Sequence, residues 1–288
     1  MREVGAFVLT GHGVDGQTAH DVLTLGERFF ALPPSELAAI DMIHSPYFRG
    51  YSAVGSERTQ GRPDLREQLD VGPEDAPHIP APGEPPYLRL RGPNLWPAAL
   101  PELRPAILSW MDALRAVAAR LLATVAEAAD LPRDSFAPGF DSRPHERLKI
   151  IRYPAVDGAN SGQGVGEHRD TGFISLIVAD GIEGLQVHDG RDFAAVSAPR
   201  GALIAVLGRT FAQVTAGAVT AALHRVASPP AGRSRLSIAY FYNPRLDFAV
   251  DSVPSGTRER AEYGYEALDV VLRSHPHVAE RYFADLIA

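Results

Sequence analysis

Cysteine is absent from the 288-residue chain. Disulfide staples, thiolate metal sites and a cysteine nucleophile are therefore excluded. Lysine is nearly absent too: Lys149 is the only one among 28 basic residues, the rest being arginine. Acidic residues number 35, for a formal net charge of -7. That balance suits a phosphate backbone poorly, so nucleic acid is not an expected partner. The longest apolar run, around Ala202 to Leu207, falls far short of the ~20 residues that span a bilayer. Met1 is followed by Arg2, Glu3 and a short apolar patch, which does not read as a secretory signal. No membrane partner is expected, and the chain reads as cytoplasmic. The arginine excess points to GC-rich codon usage, hence to a bacterial source and specialised metabolism.

What is present is ample apolar content, 45% of the chain, enough for one large domain. Gly5 to Thr10 reads as a short strand, turned by Gly11-His12-Gly13. From Asp15 to Ala31, Val22, Leu23, Leu25, Phe29 and Phe30 recur at helical spacing. Pro33-Pro34 ends that helix. Residues 47–71 are polar with several glycines, and 72–87 read as a Pro- and Gly-rich loop. Pro97 to Leu131 predicts a long amphipathic helix through Ile107, Met111, Leu114, Val117, Leu121, Leu122 and Val125.

After Pro144 the pattern changes to short strands. Candidates are Leu148–Tyr153, Gly172–Val178, Gly184–His188, Ala194–Val196, Ala202–Leu207, Gln213–Thr215, Ala221–Ala227 and Arg235–Tyr242. Gly, Pro, Asp and Ser turns separate them, the pattern of an antiparallel sandwich or barrel. Two sheets of four strands would make a jelly roll. The tail from Arg258 to Ala288 returns to helix, broken near Pro276. The expected fold is mainly β with flanking helices. Residues 1–143 form a helical N-terminal region packed on the core and not independent of it. The jelly-roll core covers 144–245, and a C-terminal helical cap covers 246–288.

The stretch His168-Arg169-Asp170 organises this core. Side chains alternate along a strand, so a His and an Asp two apart share one face. His224, in ALHRV, would complete a set of two imidazoles and one carboxylate. That set leaves metal positions open and suits non-haem Fe(II) binding O2 and a substrate. It also suits zinc, but a metal-dependent hydrolase needs a base beside the bound water, and none sits at a telling spacing. A β-sandwich binding module with a vestigial site is a third reading. Intact His168, Asp170, His224 and Arg235 speak against it. Arg169 and Glu167 should face away from the site. His188 with Asp189 reads as a turn, and His275 with His277 as the polar side of a tail helix.

The ordered segments LKIIRYP, HRD, GLQVHDG, GALIAVLG, ALHRV and RLSIAYFYNP follow GAFVLTGHGVDGQTAHDVLTLGERFFALP. Together they resemble the isopenicillin N synthase-like family of Fe(II)- and 2-oxoglutarate-dependent oxygenases, over almost the whole chain. The resemblance implies a double-stranded β-helix core and iron held by His168, Asp170 and His224. It implies 2-oxoglutarate as cosubstrate, O2 as oxidant and a small-molecule substrate. Arg235 and Ser237, two apart on one strand, match the positions that hold the far carboxylate of the cosubstrate. An inward arginine is costly without an anion, and a guanidinium meets a carboxylate with two prongs. Tyr153 matches the family tyrosine near the cosubstrate. The implied reaction oxidises, most simply hydroxylates, a metabolite and releases succinate and CO2. Some relatives use no 2-oxoglutarate and bind the substrate's own carboxylate with the Arg-x-Ser pair.

Two segments and one single position depart from the family pattern. The segment often written VNIGD is Val206-Leu207-Gly208-Arg209. The segment often written TNGxxxS is Thr215-Ala216-Gly217, followed by Ala221. Ile151 stands where an asparagine is common. No proposed ligand is lost, but hydrogen bonding round the cosubstrate must differ. The substrate pocket is expected from loops near 47–75, the 245–255 segment and the C-terminal helices. Alternation from Tyr153 also puts Ile151 and Lys149 on the inner face. Lys149 is thus a candidate to meet an anionic group on the primary substrate. The alternative is a stem laid along the sheet edge with its amine in water. A monomer is the expected state.

Overall fold

The computed structural model describes residues 2–155, 163–250 and 261–287. Strand β1 (Ala6–Leu9) leads to helix α1 (Gly16–Phe30). Asp15 caps α1 by accepting a hydrogen bond from Gln17 N, one of the first-turn donors that lack an intrahelical partner. The buried stripe of α1 carries Val22, Phe29 and Phe30. Short α2 (Pro34–Ala39) follows, then the long α3 (Leu103–Ala128), which buries Ile107, Trp110, Met111, Leu114 and Val125.

The remaining strands are β2 (Gly50–Ser52), β3 (Arg58–Thr59), β4 (Arg62–Pro63), β5 (Glu67–Val71), β6 (His145–Tyr153), β7 (Gln163–His168) and β8 (Ile174–Ala179). They continue with β9 (Leu185–His188), β10 (Phe193–Ala195), β11 (Leu203–Leu207), β12 (His224–Ala227), β13 (Arg235–Asn243), β14 (Ala249–Val250) and β15 (Ala261–Glu262). Helices α4 (Arg209–Val214), α5 (Tyr263–Ser274), α6 (Pro276–Tyr282) and α7 (Ala284–Ile287) complete the set.

Two sheets face each other as a jelly roll. The major sheet runs β1-β11-β8-β13-β6-β5-β2 and the minor sheet β10-β9-β12-β7. On the outer face of the major sheet, Leu148, Ile150, Leu236, Ile238 and Tyr240 share one core with α1 and α3. Fully burying each such aliphatic or aromatic side chain contributes about 1.5–3 kcal/mol. Gly26 permits the close approach of α1: a Cβ there would lie 3.0 Å from Ile150 and 3.1 Å from Leu236. Between the sheets, Ile151, Tyr153, Val165, Leu185, Val187, Val226 and Ala239 form a separate apolar cluster. Helices α5 and α6 bring Tyr263, Leu268, Val271 and Val278 against Met42, Phe48 and Tyr87 at the open end. Among the described residues, no helix is long and apolar enough to cross a membrane.

The structure corrects four expectations. Gln213–Thr215 is not a strand: Gln213 lies in α4, where Phe211 is buried and stacks on Phe173 at 4.9 Å. Core packing of one aromatic overrides the β-branched character of the segment. The sheets have seven and four strands, not four and four, because β1, β2 and β5 join the major sheet. Strand β5 is buried throughout although three of its five residues are Glu, Gln and Asp, so no apolar alternation announces it. The third correction is that β7 ends at His168, which leaves Asp170 in the loop beyond it. Strand alternation therefore does not place that carboxylate. The fourth is His275, which is 0% exposed and not part of a solvated helix face. The break at Pro276 is found, with α6 opening on that proline. The expected helix start at Arg258 and residues 251–255 of the expected pocket segment lie outside the described residues.

Candidate active site

Strands β7 and β12 pair antiparallel, and the register sets His168 directly opposite His224. Their rings lie 4.1 Å apart, centroid to centroid. In each imidazole Nδ1 meets a backbone carbonyl two residues upstream: Gly166 O at 2.8 Å for His168, Ala222 O at 3.1 Å for His224. A carbonyl only accepts, so Nδ1 carries the proton and Nε2 keeps its lone pair. Both Nε2 atoms face Asp170 Oδ1, at 3.6 Å and 3.7 Å. Burial and the adjacent His224 push His168 down to about 4, so that ring is neutral at physiological pH.

Asp170 is set by its loop. The first-turn amides of α4 have no partners within the helix and bond back to that loop. Arg209 N donates to Asp170 O at 2.8 Å and Thr210 N to Thr171 O at 2.9 Å. Phe173 N donates to Asn243 Oδ1 at 2.9 Å. Gly172 is required beside it, since a Cβ there would lie 1.5 Å from the same Oδ1. Ser175 Oγ donates to Asp170 Oδ2, which leaves Oδ1 for the two histidines.

Donor atoms of His168, Asp170 and His224 lie within 4.8 Å of one another, the one such cluster among the described residues. Two imidazoles whose Nδ1 atoms are held by backbone carbonyls and one oriented carboxylate fit a divalent iron with positions left open. The sequence order alone suggested these three residues. The cross-strand register and the helix-anchored loop are what bring them together.

These groups line a cavity of about 790 Å³ that also reaches Arg235, Ser237 and Tyr153. Arg235 is 3% exposed, and among the described residues no carboxylate pairs with it. Its Nη1 donates to Ser237 Oγ at 3.1 Å and its Nε to Ile182 O at 3.1 Å. The guanidinium lies 5.1 Å from the Tyr153 ring centre. A buried cation held this way lacks an anion, which suits one carboxylate of a dicarboxylic acid.

Lys149 does lie on the inner wall, 7% exposed, as alternation requires. Its amine, however, donates to both Glu57 oxygens at 3.1 Å and lies 3.2 Å from Asp70 Oδ1. Arg66 joins the same group, 2.8 Å from Glu57 and 3.2 Å from Asp64. Arg147 is 2.8 Å from Asp70. Glu57, Arg66, Arg147, His145 and Tyr263 line the cavity too; Glu57, Arg66 and Tyr263 fall in the loop and helix segments expected to form the pocket. Extending the alternation of Lys149 back along β6 would have found Arg147 and His145. No local signal marks Glu57, Arg66 or Tyr263. Glu167 and Arg169 are exposed, Arg169 with its Nε on Ala221 O at 3.0 Å, but both line the same cavity, which corrects the expectation that they face away from it. Asp189 accepts from Arg191 N and Asp192 N in a turn.

Comparison with known proteins follows the same lines. Residues 1–99 match the model of the N-terminal region of the non-haem dioxygenase in morphine synthesis, and residues 144–244 match that of the 2OG-Fe(II) oxygenase superfamily. The 2-oxoglutarate-dependent dioxygenase frbJ of Dothideomycetidae sp. (strain 11243) is 35% identical, over 88% of this chain and 70% of the relative. A 2-oxoglutarate-Fe(II) type oxidoreductase of Aspergillus fumigatus is 32% identical, over 88% of this chain and 77% of the relative. Among solved structures, a full-length Neurospora crassa protein in complex with alpha-KG and thymine superposes with a TM-score of 0.76 at 24% identity, over 99% of this chain and 88% of that one. These likenesses carry the superfamily and not the narrower isopenicillin N synthase-like group. With the two family regions in order along the chain and relatives above 30% identity over most of their length, the chain belongs to the 2-oxoglutarate- and Fe(II)-dependent oxygenases.

Proposed function

We propose that this oxygenase hydroxylates a small-molecule metabolite, with 2-oxoglutarate as cosubstrate and His168, Asp170 and His224 as the iron ligands. The observation that carries the cosubstrate assignment is Arg235, a buried cation with no carboxylate partner among the described residues, in the same cavity as the three donors. Arg235 and Ser237 hold the far carboxylate, and Tyr153 closes that end of the chamber. Iron with bound 2-oxoglutarate supplies the O2-dependent oxidation, with succinate and CO2 as co-products. The chain's own part is positional. Ser175 and α4 fix the Asp170 carboxylate, and backbone carbonyls fix both imidazole tautomers. The apolar lining of Ile151, Ile177, Leu185 and Val226 excludes water from the cosubstrate end. The thymine held by the Neurospora relative supports a substrate of metabolite size.

The test is turnover of metabolite mixtures with Fe(II) and O2, with and without 2-oxoglutarate, following succinate. Succinate formed in step with a product heavier than its precursor by one oxygen atom is the expected result. Product formed equally well without 2-oxoglutarate would replace this reading with a 2-oxoglutarate-independent oxidase that closes rings or desaturates. That reading needs Arg235 to bind the substrate's carboxylate instead.

A further inference from the structure

The inner row of β6 runs Tyr153, Ile151, Lys149, Arg147, His145, from the Arg235 end of the cavity to its other end. The register of the major sheet fixes how far that is. Arg235 pairs with Tyr153, and Phe241 pairs with Arg147. Six residues along β13 separate the two levels, about 20 Å at the usual strand rise. A single 2-oxoglutarate cannot reach from Arg235 to Arg147. Ser175, which anchors Asp170, pairs with Phe241 in turn. Arg147 therefore sits level with the metal-site loop, two strand spacings or about 10 Å across the sheet. Whatever anion meets Arg147 is a second one, placed where a substrate must lie to be oxidised.

The surroundings ask for that anion. Arg49, Arg66, Arg147 and Lys149 are the cations of this buried cluster; Glu57, Asp64 and Asp70 are its carboxylates. Lys149 and Arg66 are occupied by those acids. Arg49 is 4% exposed and has no ion-pair partner among the described residues. Burial and the nearby Arg147 push it down to about 9. Burial raises Asp64, against the pull of Arg66. His145 is held well below the usual imidazole range by burial and by Arg49, Arg147 and Arg91. Among the described residues Arg147 makes one hydrogen bond, from Nη2 to Asp70, and its Nε is buried without a partner. The Tyr263 hydroxyl lies 3.5 Å from His145 Nδ1 on the same wall. Asp70, Asp75 and Glu74 face Arg49, whereas Arg147, His145 and Tyr263 line the cavity itself.

We propose, resting on the oxygenase reading above, that the primary substrate is a carboxylic acid whose carboxylate is received by Arg147 beside His145 and the Tyr263 hydroxyl. A guanidinium already paired on one side by Asp70 suits a single planar carboxylate on the other. Lys149 acts as a positioning residue, holding Glu57 and Asp70 so that Arg147 stays on the cavity wall with one acid partner. The substrate's body then extends past Phe241, Ala267 and Val270, the apolar lining nearest this level.

The experiment offers wild-type enzyme with Fe(II), 2-oxoglutarate and O2 two mixtures. One holds aliphatic, aromatic, hydroxy and N-acyl amino acids. The other holds the same compounds converted to their methyl amides. Oxidised products from the acids and not from the amides are expected. For the acid so found, Arg147→Gln should raise KM by about 10- to 100-fold, the range for a lost charge-assisted pair. Arg147→Lys should recover part of the loss, and 2-oxoglutarate affinity should hold in both variants. Product from the amide mixture, or from neither mixture while 2-oxoglutarate still binds, overturns the proposal. Failure to bind 2-oxoglutarate at all points instead to the oxygenase reading, which separates the two.

Discussion

Lys149 donates to both carboxylate oxygens of Glu57 at 3.1 Å, across 92 positions of chain, with both side chains buried. Burial alone would raise the Glu57 carboxyl, but Arg66 and Lys149 hold it well below the usual range. Removing one partner of such a pair leaves a buried charge uncompensated, at a cost of about 3–5 kcal/mol. Lys149→Ala should therefore destabilise the fold by that order in urea melts. The double variant with Glu57→Gln should regain part of the loss. A single-variant cost below about 1 kcal/mol would show that the pair is not held as described.

Asp170→Ala is expected to abolish turnover and iron binding together, since it removes the one carboxylate among the three donors. The fold should persist, because Asp170 lies in a loop outside the apolar clusters. Metal content by mass spectrometry and a thermal melt check both parts. Full activity with iron retained would remove Asp170 from the metal site.

Arg235→Gln should raise the KM for 2-oxoglutarate by about 10- to 100-fold, as the loss of a charged hydrogen-bonded pair implies. Steady-state kinetics decide it. An unchanged KM for 2-oxoglutarate beside a raised KM for the primary substrate would favour the oxidase reading.

Ser175→Ala should weaken Fe(II) binding by about tenfold, the lower end for loss of a group that orients a metal ligand. Ser175 is 2% exposed and its hydroxyl bonds Asp170, so the carboxylate would lose its fixed orientation. Titration with Fe(II) under argon measures the effect. Unaltered affinity would assign the orientation of Asp170 to the α4 amides alone.

Stability should fall as pH drops from about 6.5 toward 4, in part through His275. Burial pushes this imidazole down to about 4, against the pull of Glu57. Below its ordinary value the unfolded chain takes up a proton that the folded chain refuses, which favours unfolding by up to about 1.4 kcal/mol per pH unit. The Glu57 contribution has the opposite placement: it is present above the ordinary carboxylate range and lost only at lower pH. Urea melts at pH 7, 6 and 5 should show a shallower slope for His275→Gln. Equal slopes would place the pH dependence elsewhere.

The order of short motifs made much of the site legible. His168, Asp170, His224, Arg235 and Ser237 lie in segments whose residue types carry their chemistry locally, and β13 pairs with β6 in a register that keeps Arg235 beside Tyr153. Period-two alternation along a buried strand was enough to turn Lys149 inward. Helix α1 was equally legible, because its cap and apolar stripe are local features.

Contacts between distant segments were not legible, for a physical reason. Strand β5 is buried with Glu67, Gln68 and Asp70 in it, and Tyr51, Arg147, Lys149 and Arg152, brought from elsewhere, supply the partners that make that burial tolerable. The loop carrying Glu57 was expected at the pocket, but its ion pairs with Lys149 and Arg66 exist only once the fold brings them beside it. Local composition favoured a strand at Gln213–Thr215, but the packing of Phe211 on Phe173 made the segment before it a helix. That helix, and not strand alternation, sets Asp170 through its free amides. The sequence by itself determined which chemistry the chain can perform, since donor types and their order are local. The tertiary structure alone decided where charge is left unbalanced, because that balance sums over segments that meet only in the folded state.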